Sequence, residues 1–97
     1  MNDKDLETMA AKIDRPFEIE LGFSGTSGYE WKPTFDSAHL SLIERRRKPN
    51  LKSMGGRAKE VFRFRPLSSG DTEINFDLAR PWEDTPVDRK QVAIHVE

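Results

Sequence analysis

This sequence predicts an all-β domain, and two observations carry the prediction. Apolar and polar residues alternate with period two in run after run, and each run is bounded by turn formers such as Pro, Gly, Ser, Asn and Asp. A strand buried on one face needs that alternation, because successive side chains point to opposite sides of a sheet. Runs at this spacing favour a two-sheet sandwich or a barrel.

The first stretch reads two ways. Leu6, Met9, Ala10 and Ile13 fit a helical face, whereas Met9, Ala11 and Ile13 fit a strand. Sandwich context favours the strand. Phe17, Ile19, Leu21 and Phe23 then alternate with Glu18, Glu20 and Gly22, and Tyr29, Trp31, Pro33 and Phe35 alternate with Glu30, Lys32 and Thr34. These two runs are expected to form neighbouring strands. Leu40 and Leu42 begin another, and Phe62 and Phe64 alternate with Arg63 and Arg65. Ile74, Phe76 and Leu78 alternate with Asn75 and Asp77, and Val92, Ile94 and Val96 make the last run. Turn signals fall between them at Arg15-Pro16, Ser24 to Gly28, Pro49-Asn50, Gly55-Gly56, Ser68 to Asp71, and Pro81 to Pro86.

The chain of 97 residues is expected to form a single domain over 1–97, with 1–5 disordered, and to be a monomer. Its 16 basic and 17 acidic residues leave a net charge of −1, so no global field draws it to nucleic acid or an anionic membrane. Without cysteine it has no disulfide framework, thiolate zinc site or thiol nucleophile. No apolar run of signal-peptide length follows Met1, and nothing later has the length and apolarity to span a bilayer. The expected location is cytoplasmic as written, or periplasmic or secreted if a leader was removed.

Local chemistry is sparse. His39 and His95 lack a second metal-ligand type at a defining spacing, and His95, between Ile94 and Val96, is expected to face outward. No Gly-x-Ser-x-Gly elbow supports a serine nucleophile, and the carboxylates are expected along outward strand faces. The run Arg45 to Lys48 lacks interleaved aromatics and reads as a solvated strand end or loop. Neither an enzyme nor a cofactor, metal or nucleic-acid partner is expected.

Three short segments stand out instead: Ser24-Gly25-Thr26-Ser27-Gly28, Ser53-Met54-Gly55-Gly56 and Arg80-Pro81-Trp82. Small residues let a backbone approach another molecule closely, and Trp and Arg are frequent interface anchors. Singly, each has a plainer reading: a flexible connection, a hairpin turn, and a core tryptophan at a strand end. Together, and in this order, they resemble the loops of the chagasin-type inhibitors of papain-like cysteine proteases. That family carries Asn-Pro-Thr-Thr-Gly before an aromatic strand, then Gly-x-Gly-Gly, then Arg-Pro-Trp or Arg-Pro-Phe. Here the last motif matches in full, Ser24 and Gly25 stand for Asn and Pro, and Ser53 stands for the first glycine of the second loop.

The resemblance implies an immunoglobulin-like β-sandwich of about seven to eight strands with the three loops gathered at one end. It implies that the Ser24 to Gly28 loop enters the cleft of a papain-like, cathepsin L-like protease, with Thr26 nearest the catalytic Cys-His pair, while the other two clamp its sides. The inhibition would be reversible and non-covalent. The alternative reading is a non-inhibitory immunoglobulin-like module recognising another protein or a glycan.

Overall fold

Residues 5–24, 28–49 and 57–97 are described by the computed structural model, and they contain seven strands and no helix. These are β1 (Asp5–Ala11), β2 (Phe17–Ser24), β3 (Glu30–Phe35), β4 (Leu40–Pro49), β5 (Arg57–Pro66), β6 (Gly70–Ala79) and β7 (Asp88–Val96). They form a four-stranded sheet, β1-β7-β6-β3, and a three-stranded sheet, β2-β5-β4. Pairing is antiparallel except between β1 and β7, which run parallel. The N-terminal stretch is therefore a strand from Asp5 onward. Residues 1–4 lie outside the described residues.

Each inward row is the one the alternation marks. Ile19 and Leu21 of β2, Trp31 of β3, Phe62 and Phe64 of β5, Ile74 and Phe76 of β6, and Val92, Ile94 and Val96 of β7 are buried in one core. Side chains of this size contribute about 1.5–3 kcal/mol each when buried, so the two inner faces supply most of the drive to fold. Aromatic contacts link the sheets: Phe62 meets Phe76 with ring centroids 5.2 Å apart, and Phe35 meets Phe64 edge-on at 5.1 Å.

Three expectations are corrected. The runs at Phe17 and Tyr29 are not paired neighbours: β2 pairs with β5 and β3 with β6, so the chain crosses from one sheet to the other between them. Alternation reports which face is buried and does not choose the partner strand. The two runs nevertheless touch through the core, where the Trp31 Nε1–H donates to the Gly22 carbonyl at 3.1 Å. Ile13, placed in phase with Met9 and Ala11, lies beyond β1 in an exposed turn, just before Asp14 with φ at 64°. Finally, not every carboxylate faces out, because Glu60 is buried.

The basic run Arg45 to Lys48 belongs to β4 and is paired with acids. Arg46 meets Glu18 and Glu44, Lys48 meets Glu20, and Arg45 and Arg47 both approach Glu60. A register shift between Leu42 and Glu44 makes a bulge in β4, with Ile43 left exposed. Beyond it, Arg45 stands opposite Phe62 and Arg47 opposite Glu60, whose row continues into the core at Phe62 and Phe64.

Candidate functional site

Sheet register brings the flanks of the three sequence-predicted loops to one end of the sandwich. Ser24, where β2 ends, is the partner of Arg57, where β5 begins, and Glu30, where β3 begins, is the partner of Ala79, where β6 ends. The segment Ser24 to Gly28 thus leaves and re-enters beside the segment preceding β5 and the one following β6. Gly25, Thr26 and Ser27, together with Ser53, Met54, Gly55 and Gly56, lie outside the described residues.

Arg80, Pro81, Trp82 and Gly28 are described, and they meet. Gly28 adopts φ of 77°, in the left-handed region where a side chain is strained. A Cβ built on Gly28 would lie 3.7 Å from Cη2 of Trp82, so the rim of the indole stands one methyl's reach from this glycine and brings the third loop beside the first. Trp82 itself is 72% exposed, which removes the reading of it as a core residue. Its large ring is held at the loop end and turned to solvent.

Arg80 underlies this arrangement. Its guanidinium lies 4.6 Å from the centre of the Tyr29 ring and 5.9 Å from that of Trp82. Nη1 also meets Glu83 Oε2 at 3.4 Å, and the Glu83 N–H donates to the Arg80 carbonyl at 3.0 Å, closing a turn around Pro81. Pro81 fixes its own φ and biases Arg80 toward extended backbone, which suits a residue leaving a strand. The Val87 N–H donates to the Leu78 carbonyl at 2.8 Å and closes the base of the loop.

The chemistry available here is that of contact. The described part of the loop end carries an aromatic anchor, a cation spread over two rings and a glycine in a left-handed turn, with no nucleophile set against a base. Among the described residues no cluster of three or more His, Asp or Glu could hold a metal ion. His95 stands apart, exposed on β7 and 2.6 Å from Asp71.

Sequence reasoning missed Glu60. It accepts the Trp31 N–H at 2.7 Å and pairs with Arg45 at 3.1 Å, three residues into β5, the strand that follows the second loop. The available signal was its phase, since Glu60, Phe62 and Phe64 share one face of β5.

Comparison with known proteins adds an independent line. Residues 10–96 match the family described as Chagasin family peptidase inhibitor I42. No curated protein matches the sequence. Among solved structures, the cysteine protease inhibitor EhICP2 from Entamoeba histolytica is similar over 100% of both chains, with a TM-score of 0.76 and 20% identity. Amebosin is similar with a TM-score of 0.72 and 18% identity over 97% of this chain and 96% of its own. PbICP-C, solved in complex with falcipain-2, has a TM-score of 0.74 and 15% identity over 97% of this chain and 89% of its own. At these identities the structural likeness speaks for the fold.

Proposed function

Because this chain belongs to the chagasin family of peptidase inhibitors, we propose that it inhibits papain-like cysteine proteases by filling the active-site cleft with its three loops, reversibly and without covalent chemistry. The observation that carries this reading is the exposed Trp82 set beside Gly28, because it supports a continuous contact surface formed by the first and third loops. In this reading Ser24, Gly25, Thr26, Ser27 and Gly28 enter the cleft. Their small side chains let backbone come close to the protease, and the Ser and Thr hydroxyls can exchange hydrogen bonds with it.

Trp82 supplies the area that such small residues lack. A rigid aromatic loses little rotamer freedom on binding and buries much apolar surface, which is why Trp dominates interface energetics. Arg80, braced by Tyr29 and Glu83, holds the backbone that carries it. Ser53, Met54, Gly55 and Gly56 are assigned to the opposite wall of the cleft, because β5, which follows them, begins beside the end of β2. With PbICP-C solved on falcipain-2, a papain-like enzyme is the target class to try first.

The test is titration of the chain into papain and a cathepsin L-like protease. Stoichiometric loss of activity, recovered on dilution, with an intact chain by mass spectrometry after long incubation, is the expected result. Cleavage between Ser24 and Gly28 with inhibition lost in step would make the loop a substrate. Indifference of both enzymes would leave a binding module of another kind.

A further inference from the structure

Among the described residues Glu60 is the one charged side chain that is buried, and contact with a protease gives it no role. Its surroundings do. Among the described residues β3 is an outer strand of its sheet, so the backbone groups of Trp31 that point away from β6 have no described strand to pair with. Both are satisfied from the opposite sheet. The Trp31 N–H donates to Glu60 Oε1 at 2.7 Å, and Arg45 Nη2 donates to the Trp31 carbonyl at 2.8 Å. The ring closes where Arg45 Nη2 also donates to Glu60 Oε2 at 3.1 Å.

The acid and base therefore act in place of a missing strand, and they belong to β5 and β4 of the other sheet. Arg45 is steadied by the Phe62 ring, whose centroid is 5.1 Å from the guanidinium carbon, and by Glu30 at 3.4 Å. A pair with one buried partner adds little net stability against an apolar replacement, because desolvation of the buried charge offsets the attraction. Their stronger effect is directional, since two hydrogen bonds to one residue's backbone fix where that strand lies.

We propose that Glu60 is a positioning residue for inhibition: with Arg45 it sets the spacing of the two sheets at the loop end, and so holds the strand leaving the first loop against the strand leaving the second. The inference rests on the inhibitor reading above. Loops held in their binding geometry avoid the ordering cost that flexible ones incur on association.

The test is Glu60→Gln in the full chain, which keeps the size and the acceptor for Trp31 but removes the charge facing Arg45. The control is Val96→Ala, a buried position paired with Ala11 and Gly70 at the opposite end of the sandwich. Inhibition of papain is measured well below both melting temperatures. Glu60→Gln is expected to weaken inhibition by about tenfold or more through lost preorganisation. Val96→Ala is expected to stay within about twofold, as distant sites act independently.

The Gly28 amide and Trp82 indole signals in nitrogen–proton spectra are expected to shift in Glu60→Gln and to hold still in Val96→Ala. Wild-type inhibition by Glu60→Gln overturns the proposal, and so does an equal loss in both variants. Should Glu60→Gln fail to fold, Arg45→Gln is measured against the same criteria. A wild-type chain that spares both proteases defeats the inhibitor reading instead. The positioning claim then stands or falls on the spectra, and unmoved Gly28 and Trp82 signals overturn it.

Discussion

Arg80 lays its guanidinium 4.6 Å from the centre of the Tyr29 ring, and this contact ties the loop after β6 to the start of β3. The two residues flank different loops, so the contact fixes one loop relative to the other. A planar, weakly hydrated cation suits a ring face better than an ammonium would. Glu83 pairs with the same guanidinium at 3.4 Å while it stays within reach of both rings.

That coupling is measurable in the free protein. A double-mutant cycle of Arg80→Ala and Tyr29→Leu, followed by denaturant unfolding, is expected to return an interaction of about 0.5–1 kcal/mol, the range for partly exposed cation–π pairs. Strict additivity of the two single changes would show the contact to be idle.

Trp82→Ala separates anchoring from folding. With the indole 72% exposed, its removal takes little from the core, and the melting temperature should hardly move. Binding to a papain-like protease should weaken by about 2–4 kcal/mol, as expected for a central aromatic anchor. A large melting shift with unchanged inhibition would take Trp82 out of the site.

Which parts of this could be read from the sequence follows from the range over which each interaction acts. The alternation Phe62, Arg63, Phe64 marks a strand and its buried face because burial is imposed residue by residue. Partner choice is not local, so two adjacent runs, Phe17 to Phe23 and Tyr29 to Phe35, look like one hairpin yet belong to different sheets. Glu60 shares the phase of Phe62 and Phe64, and a carboxylate in a core row invites the opposite reading until its cation is found. That cation, Arg45, comes to face it only after the register shift between Leu42 and Glu44, which no residue type announces. Arg80-Pro81-Trp82 was legible as a motif, but whether its tryptophan was core or surface was not, since the residue suits both.

Gly28 has its own test. At φ of 77° an L side chain costs about 1–2 kcal/mol, while the added methyl would meet Trp82 only at ordinary contact distance. Gly28→Ala should therefore lower unfolding free energy by about that amount through backbone strain alone. Chemical denaturation decides it, and a neutral substitution would mean that the left-handed turn is not required in solution.

The last prediction concerns pH and sits away from the loops. His95 on β7 lies 2.6 Å from Asp71 on β6, and the hydrogen bond to that carboxylate, reinforced by its charge and by Glu97, raises the histidine pKa above the ordinary 6.5. A group that binds its proton more tightly folded than unfolded adds stability while both forms are protonated. The contribution is complete below about 6.5 and is lost as pH climbs through the raised folded value. Asp71→Asn should abolish it, bringing the His95 titration followed by proton NMR down toward the ordinary value and flattening stability across that window. Both side chains are largely exposed, so added salt should shrink the effect as well. An unmoved His95 titration in Asp71→Asn would show that the pair is not formed in solution.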